Sequence, residues 1–200
     1  MLGLKGYAFI GSTGYDPEKG KSINDPYFGT PPSLGACMPN IRRLVIPGDH
    51  IFFITGKVPN AQQYIVGGFE VAAKMHATVA YDLFPEQRLR LSDGGQRIGN
   101  VIVDASGNQH HLDVDIHDPS SFGRRAENYV VGRNPIALTT SEEIARGREE
   151  TLYVLRRILR KSGDSPFKMF GRWCKLDAYQ IRELRDWLRS LKSTSLAMDP

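Results

Sequence analysis

Cysteine is scarce in this chain of 200 residues, and no long hydrophobic run occurs in it. The two cysteines, Cys37 and Cys174, lie far apart and in no metal-binding or redox spacing, so neither a disulfide framework nor a cysteine zinc site is expected. No stretch approaches the roughly 20 apolar residues that a membrane-spanning helix needs. The N-terminus leads directly into a predicted strand, without the pattern of a signal peptide. We therefore expect a cytoplasmic protein with reduced cysteines and no membrane partner.

The sequence also lacks the common motifs of nucleotide hydrolases and cofactor enzymes. It has no Walker lysine loop, no Gly-x-Gly-x-x-Gly after a strand, no Gly-x-Ser-x-Gly elbow and no His-Glu-x-x-His. No cofactor is therefore predicted. The content of hydrophobic residues, 40%, and of charged residues, 24%, is typical of a globular protein. We expect a single domain over residues 1–200, with a helical C-terminal extension from about residue 140.

The net charge of +4 is unevenly distributed along the chain. Residues 1–119 carry 10 basic and 12 acidic groups, whereas residues 120–200 carry 16 basic and 10 acidic groups. A basic half of this kind is typical of a phosphate-binding surface, because each neutralised phosphate releases counterions. It is also typical of solvent-exposed helices. The charge distribution alone leaves both interpretations open.

The segment 47–71, PGDHIFFITGKVPNAQQYIVGGFEV, carries the most informative pattern of the chain. It begins with a Pro-Gly-Asp turn, and the aromatic and β-branched run His50–Ile54 that follows suits a strand. A polar loop leads to a second strand at 64–71, which contains Gly67 and Gly68. Glycines inside a strand mark a bulge, a sharp bend or the close approach of another backbone. The segment therefore predicts a hairpin-like pair in a small, strongly bent barrel.

This pattern of a Gly-Asp turn, an aromatic strand and a strand of the form Tyr-Ile-x-Gly-x-x-x-Val resembles the core of the EVE domains. The resemblance includes the opening strand, 6–11, and extends to the wider PUA-like superfamily with its YTH, ASCH and SRA modules. More narrowly, residues 5–190 resemble a bacterial and phage group known as nucleotide-modification-associated domains, second type. The resemblance implies an α+β fold, namely a PUA-like or EVE-like bent barrel of about six strands with flanking helices and a C-terminal helical pair.

In the EVE and YTH relatives, a modified base occupies a pocket of aromatic and polar residues at the barrel mouth. The end of the first strand builds part of this pocket, so the resemblance implies that Ser12, Thr13 and Tyr15 line it. This chain departs from the family pattern, because both tryptophans, Trp173 and Trp187, lie in its C-terminal part. Tryptophan is the strongest cation–π partner. A base-binding cage in this chain would therefore use tyrosine or phenylalanine.

Two amphipathic helices are predicted in the C-terminal part. Thr140 with Glu143, and Asp177 with Gln180, form capping boxes, and apolar residues follow both pairs at helical spacing. These helices leave several cations largely to solvent, namely Arg156, Arg157, Arg160, Lys161, Arg182, Arg185 and Arg189. Besides the strands already named, strands are predicted at 7–10, 44–46, 100–104, 111–116 and 128–131.

The run from His111 to His117 alternates strictly between polar and apolar residues. In a strand, His111, Asp113, Asp115 and His117 would share one face, where they could bind a divalent metal or act as acid and base. Residues two apart on a strand lie about 7 Å from each other, so a metal would need a ligand from elsewhere. We favour the simpler interpretation of an exposed polar sheet face, and keep the metal or catalytic site as the alternative.

The segment that follows, 117–129, gathers arginine, asparagine, serine and aromatic residues. Arginine binds phosphate through two parallel hydrogen bonds, amides bind base edges, and rings stack on bases. Arg124, Arg125 and Asn128 are therefore candidates for phosphate or base-edge binding. A solvent-exposed loop would explain the same composition.

Taken together, these patterns favour a module that binds DNA or RNA and holds a modified base at the barrel mouth, with no cofactor. One alternative is an enzyme that acts on nucleotides or nucleic acid through the face of His111, Asp113, Asp115 and His117. Another is a module that docks a partner protein. Sequence alone does not name the base, the type of nucleic acid or the oligomeric state.

Overall fold

The structure, a computed structural model, describes residues 3–22 and 24–196, with side chains described as far as residue 192. The strands are β1 (Gly6–Ile10), β2 (Ser33–Leu34), β3 (His50–Ile54), β4 (Ile65–Met75), β5 (Arg90–Leu91), β6 (Arg97–Ile98), β7 (Tyr129–Ala137) and β8 (Trp173–Leu176). The helices are α1 (Pro39–Leu44), α2 (Ala77–Leu83), α3 (His111–Val114), α4 (Phe122–Ala126), α5 (Ser141–Leu159), α6 (Pro166–Phe170) and α7 (Ala178–Leu196). Single turns of 3-10 helix lie at Pro85–Gln87 and Pro119–Ser121.

Six strands form one mixed sheet in the order β2-β7-β4-β3-β1-β8, and β5 with β6 forms a separate two-stranded ribbon. β1 runs parallel to β3, whereas β3 pairs antiparallel with β4 and β1 pairs antiparallel with β8. The sheet is open, and its edge strands β2 and β8 are short, which leaves few unpaired backbone groups at the edges. The predicted α+β fold with about six strands is confirmed. The closed barrel that the resemblance implies is not found among the described residues.

The predicted hairpin-like pair is confirmed. β3 occupies the predicted residues His50–Ile54, all of them buried, and pairs antiparallel with β4. A Cβ atom on Gly67 would collide with the carbonyl oxygen of Ile136, and one on Gly68 would collide with the ring of Phe52. Both glycines are therefore needed because neighbouring groups approach the backbone of β4 too closely for a side chain.

The chain divides into two compact units. The first unit comprises the described residues of Met1–Ser22, Gly48–Glu70 and Asn134–Pro200, and the second comprises those of Ile23–Pro47 and Val71–Arg133. The second unit has its own buried hydrophobic cluster, formed by Ala77, Ala80, Val101, Val103, Ala126, Tyr129 and Val131. The single domain that the sequence favours stays a prediction.

Both predicted capping boxes begin helices of the first unit. The Thr140 hydroxyl accepts a hydrogen bond from the Glu143 N–H at 3.2 Å, and the Glu143 carboxylate accepts one from the Thr140 N–H at 3.3 Å. Asp177 and Gln180 make the same reciprocal pair at the start of α7. The C-terminal part is not helical throughout, because β8 lies between α6 and α7 and pairs with β1.

Two strand predictions in the second unit are wrong. The predicted strand at 44–46 is absent, because Leu44 is the last residue of the helix α1. Pro39 lies in the first turn of this helix, where proline is tolerated because its missing N–H would have no partner in the helix. The predicted strand at 100–104 is reduced to isolated bridges at Val101 and Val103. Within the described part of the chain, no helix has the length and apolar composition needed to span a membrane.

Candidate functional site

A cavity of about 730 Å³ opens in the first unit beside the C-terminal end of β1. Its volume lies within the range of small-molecule binding sites. The loops after β1 and β3, one face of α5 and the segment around α6 form its walls. Its described lining includes the apolar Ile10, Val58, Pro59, Ala61, Leu152 and Pro166, the polar Thr13, Asn60, Gln62, Gln63 and Ser165, the aromatic Phe167, and the charged Lys57, Arg148, Asp164, Lys168 and Arg172.

Asp16 holds the loop that follows β1. Its side chain is buried, and Oδ1 accepts hydrogen bonds from the backbone N–H groups of Glu18 and Lys19 at 3.0 and 2.9 Å. The guanidinium of Arg148 on α5 donates to both carboxylate oxygens, each at 2.8 Å. Burial alone would raise the pKa of Asp16, but the hydrogen bonds from Arg148 and the two amides outweigh it, and the pKa lies below its usual value. Asp16 is therefore ionised at neutral pH.

Arg148 joins the loop after β1 to the loop after β3. Besides Asp16, its Nη1 donates to the carbonyl oxygen of Gln62 at 2.7 Å, and the guanidinium lies 4.6 Å from the centre of the Tyr64 ring. The carboxylate of Glu18 lies 3.3 Å from Nη2. Two carboxylates thus balance the charge of Arg148. Arg148 therefore positions two cavity walls and contributes little free positive charge to a ligand.

The free positive charge of the cavity lies on Lys57, Lys168 and Arg172, which are all exposed. Asp164 is the one carboxylate among the described lining residues. Phe167, on α6, presents a ring that is 60% exposed. The cavity therefore combines a net positive rim with an accessible aromatic face.

The described lining residues offer cationic, aromatic and amide groups that can bind a ligand. Among the described residues, no three His, Cys, Asp or Glu side chains are grouped as metal ligands. The two thiols are free. Burial raises the pKa of Cys37 and raises the pKa of Cys174 to about 11, the opposite of the change that activates a nucleophilic thiol.

The three predicted pocket residues lie in the first unit, and Thr13 is the one among them that lines this cavity. Thr13 is exposed and lines it, and the Oγ of Ser12 accepts a hydrogen bond from Arg172 at 3.2 Å. Tyr15 is not among the described lining residues, and its carbonyl oxygen accepts a hydrogen bond from the N–H of Gly56 at 2.7 Å. A Cβ atom on Gly56 would overlap the carbonyl oxygen of Ser12, so the loops after β1 and β3 touch backbone to backbone.

The predicted phosphate-binding residues belong to the second unit. Arg124 is exposed. Arg125 is engaged inside the unit, because Nε donates to the Ser121 hydroxyl at 3.0 Å and Nη1 donates to the carbonyl oxygen of Ala36 at 2.8 Å. The carbonyl oxygen of Asn128 also has an internal partner, the guanidinium of the buried Arg42, at 2.6 Å. Arg124 is the member of the set that is most accessible to a ligand.

Arg42 is fully buried, and backbone carbonyl groups satisfy its guanidinium. Nε donates to Cys37 at 2.8 Å, Nη1 donates to Arg125 at 2.8 Å and to Asn128 at 2.6 Å, and Nη2 donates to Ala36 at 3.0 Å. Burial lowers the pKa of Arg42 to about 10, so it is still a cation at pH 7. The side chain therefore ties α1 to the end of α4 and to the chain ahead of α1.

The predicted strand at 111–116, with its polar face, is wrong. Residues His111–Val114 form the helix α3, so the four polar residues do not share one face of a strand. Asp113 is buried and accepts hydrogen bonds from Gln109 and from the ring of His117, both at 2.7 Å, whereas His111 and Asp115 are exposed. The carboxylate of Asp113 thus holds a short helix in place, and its contact with His117 has a structural role.

Sequence reasoning missed the residues that supply the exposed cations and the aromatic ring of the cavity, namely Lys57, Phe167, Lys168 and Arg172. They come from two parts of the chain that are more than 100 residues apart, so no local pattern unites them. A partial indication was present in the run from Ser165 to Lys168, where a capping serine precedes a proline, an aromatic residue and a cation.

Comparison of the chain with protein-family models, with curated proteins and with solved structures finds no match.

Proposed function

We propose that the chain binds a nucleotide unit of DNA or RNA, with the base in the cavity of the first unit and the phosphate at its rim. The observation that supports this most is the exposed ring of Phe167 beside Lys168 on a cavity wall. Stacking of a base on an aromatic ring contributes about 1–3 kcal/mol. The cations Lys57, Lys168 and Arg172 neutralise the phosphate and release its counterions.

The cavity also offers groups that recognise base edges. Thr13, Asn60 and Gln62 are exposed lining residues whose hydroxyl and amide groups both donate and accept hydrogen bonds. Asp164 accepts from an exocyclic amino group. These groups distinguish bases by hydrogen bonding, whereas Phe167 stacks on any of them.

The resemblance to the EVE and PUA-like domains supports the further proposal that the base is a modified one. Phe167 is the one aromatic side chain among the described lining residues. An aromatic cage around a cationic methylated base needs several rings. Recognition of the modification therefore rests on stacking against one ring and on hydrogen bonds to the polar wall.

Fluorescence anisotropy with short single-stranded and duplex DNA and RNA, with and without common base modifications, tests this proposal. We expect Phe167→Ala to weaken binding by about 5- to 150-fold, which corresponds to the loss of about 1–3 kcal/mol of stacking. Tyr179→Ala is the matched control, since Tyr179 is an aromatic residue of the same unit that is 48% exposed and does not line the cavity. Equal affinities for wild type, Phe167→Ala and Tyr179→Ala would refute base binding in this cavity.

A further inference from the structure

The C-terminal end of α5 carries an arginine in an unfavourable backbone conformation. Arg160 has φ of 53° and ψ of 41°, in the left-handed region, at the position after a helix where glycine is favoured. A side chain at such a position is strained, because its Cβ crowds the neighbouring backbone. Arg160 is exposed, and within the described part of the chain no hydrogen bond or ion pair holds its guanidinium. The fold therefore keeps a strained side chain that makes no polar contact of its own.

Compensation of the helix dipole does not explain this arginine. Cations at a helix C-terminus are stabilising, but Arg156 and Arg157 already lie in the last turn of α5. Arg156 donates to the carbonyl oxygen of Gly163 at 2.9 and 2.6 Å, and Arg157 pairs with Glu183 at 3.3 Å. The end of α5 is thus supplied with cations that contact the protein.

The strained arginine lies next to the cavity along the chain. Lys161, which is also exposed, follows it, and the segment then reaches the cavity wall at Asp164. Asp164 lies four positions after Arg160, so their Cα atoms lie at most about 14 Å apart. The hydrogen bonds of Arg156 to Gly163 hold this connecting segment against α5. Two exposed cations therefore stand within a short distance of the cavity rim.

We propose that Arg160 and Lys161 bind phosphates adjacent to the nucleotide in the cavity, so that the ligand is a single-stranded nucleic acid, DNA or RNA, and not a free nucleotide. This inference rests on the proposed function. A single strand fits because its bases are already unpaired, whereas a duplex must extract a base at a cost of a few kcal/mol. Binding of neighbouring phosphates gives the side chain of Arg160 a role at a position where the backbone favours glycine.

The double variant Arg160→Gly with Lys161→Gln tests the inference without threatening the fold. Glycine suits the left-handed conformation, so we expect the melting temperature to stay equal or to rise. We expect an oligomer of about eight nucleotides, within the usual site size, to bind more weakly. The slope of log K against log salt should fall in magnitude by about 1.4, since each phosphate contact on a single strand contributes about 0.7. A nucleoside 5′-monophosphate with the preferred base should bind as it binds wild type.

The charge-matched control is Arg182→Gln with Arg189→Gln on α7, which removes the same two charges at residues outside the cavity lining. An unchanged salt slope in Arg160→Gly with Lys161→Gln, or an equal reduction in the α7 control, would overturn the inference while leaving the proposed function intact. If wild type binds neither the monophosphate nor the oligomer, both the inference and the proposed function are overturned. Loss of oligomer binding in Arg160→Gly with Lys161→Gln, but not in Phe167→Ala, would support these phosphate contacts and overturn base binding in the cavity.

Discussion

Each unit of this protein contains an arginine with several internal partners, and the two are satisfied in opposite ways. Arg148 of the first unit pairs with two carboxylates, and its side chain is 13% exposed. Arg42 of the second unit is fully buried, and the groups that accept its hydrogen bonds are backbone carbonyl oxygens. An ion pair depends on the protonation state of its acid, whereas carbonyl groups do not titrate. The difference separates an arginine that holds the walls of a cavity from one that closes a core.

The largest effect is expected at the arginine that carbonyl groups surround. Arg42→Met removes four hydrogen bonds. Three partly buried carbonyl oxygens lose their side-chain donor, whereas that of Ala36 keeps its bond from Arg125, so we expect a loss of about 3–4 kcal/mol in the free energy of unfolding. Urea denaturation measures this loss. Arg43→Met is the control, because Arg43 is exposed and its replacement should change stability by less than about 0.5 kcal/mol. Equal stability of the two variants would contradict the structural role of Arg42.

A smaller but substantial effect is expected at the ion pair. Asp16→Asn leaves Arg148 with Glu18 and the carbonyl oxygen of Gln62, so we expect a loss of about 2–3 kcal/mol, somewhat below the cost of leaving a buried charge without any partner. We also expect weaker ligand binding, because one of the contacts that join two cavity walls is lost. Glu183→Gln breaks the more exposed pair with Arg157 and should cost less than about 1 kcal/mol. If Glu183→Gln costs as much as Asp16→Asn, burial does not set the strength of the Asp16 pair.

Acid should weaken the ion pair of Asp16 with Arg148 and leave the hydrogen bonds of Arg42 to carbonyl groups intact. The folded pKa of Asp16 lies below its unfolded value of about 3.9, so its stabilising contribution is present above that pH and is lost as pH falls through the folded pKa. Urea midpoints measured between pH 5 and pH 2 should therefore fall less steeply in Asp16→Asn than in wild type. Parallel acid profiles would show that Asp16 has no lowered pKa.

The smallest effect concerns another basic side chain, the buried His50 in β3. Its side chain is buried, and both ring nitrogens lack hydrogen-bond partners within the described part of the chain. Burial, and to a lesser extent the charge of Arg185, lowers its pKa. Protonation therefore favours the unfolded state, and stability should decrease as pH falls below the unfolded pKa of about 6.5. His50→Phe should reduce this decrease in melting temperature between pH 7 and pH 5, whereas replacement of the exposed His111 by glutamine should not.

Much of the fold of the first unit could be predicted because its patterns are long or chemically specific. The run His50–Ile54 has five aromatic and β-branched or similarly bulky residues after a turn, and it forms β3 over those five residues. Thr140 and Glu143 satisfy each other's backbone groups, so α5 begins at Ser141 as the capping box predicts. Such signals are local, and tertiary structure reinforces them.

The failures occur where a pattern is short and a single contact decides the structure. The run from His111 to His117 alternates like a strand, but the imidazole of His110 accepts a hydrogen bond from the N–H of Leu112 and caps a helical turn instead. Burial of Asp113 against His117 then fixes this turn. Alternation over seven residues favours a strand, and here these side-chain contacts outweigh it.

The cavity could be predicted only in part for a different reason. The resemblance implied Thr13, because this residue follows the first strand. Phe167 and Lys168 reach the cavity only through tertiary structure. The pairing of Asp16 with Arg148 spans 132 residues, and neither residue belongs to a motif that names the other. Contacts at such separation follow from the packing of α5 and not from a local sequence pattern.

The backbone contact between the loops after β1 and β3 also bears on how this protein can evolve. Any side chain on Gly56 would collide with the Ser12 carbonyl oxygen, so a substitution there would displace two loops that wall the cavity. Thr13, Asn60 and Gln62, by contrast, are exposed on the same loops and can change identity at little cost to stability. Under the proposed function, new ligand preferences can therefore arise through single substitutions along the rim, while Gly56, where the two loops touch, stays unchanged.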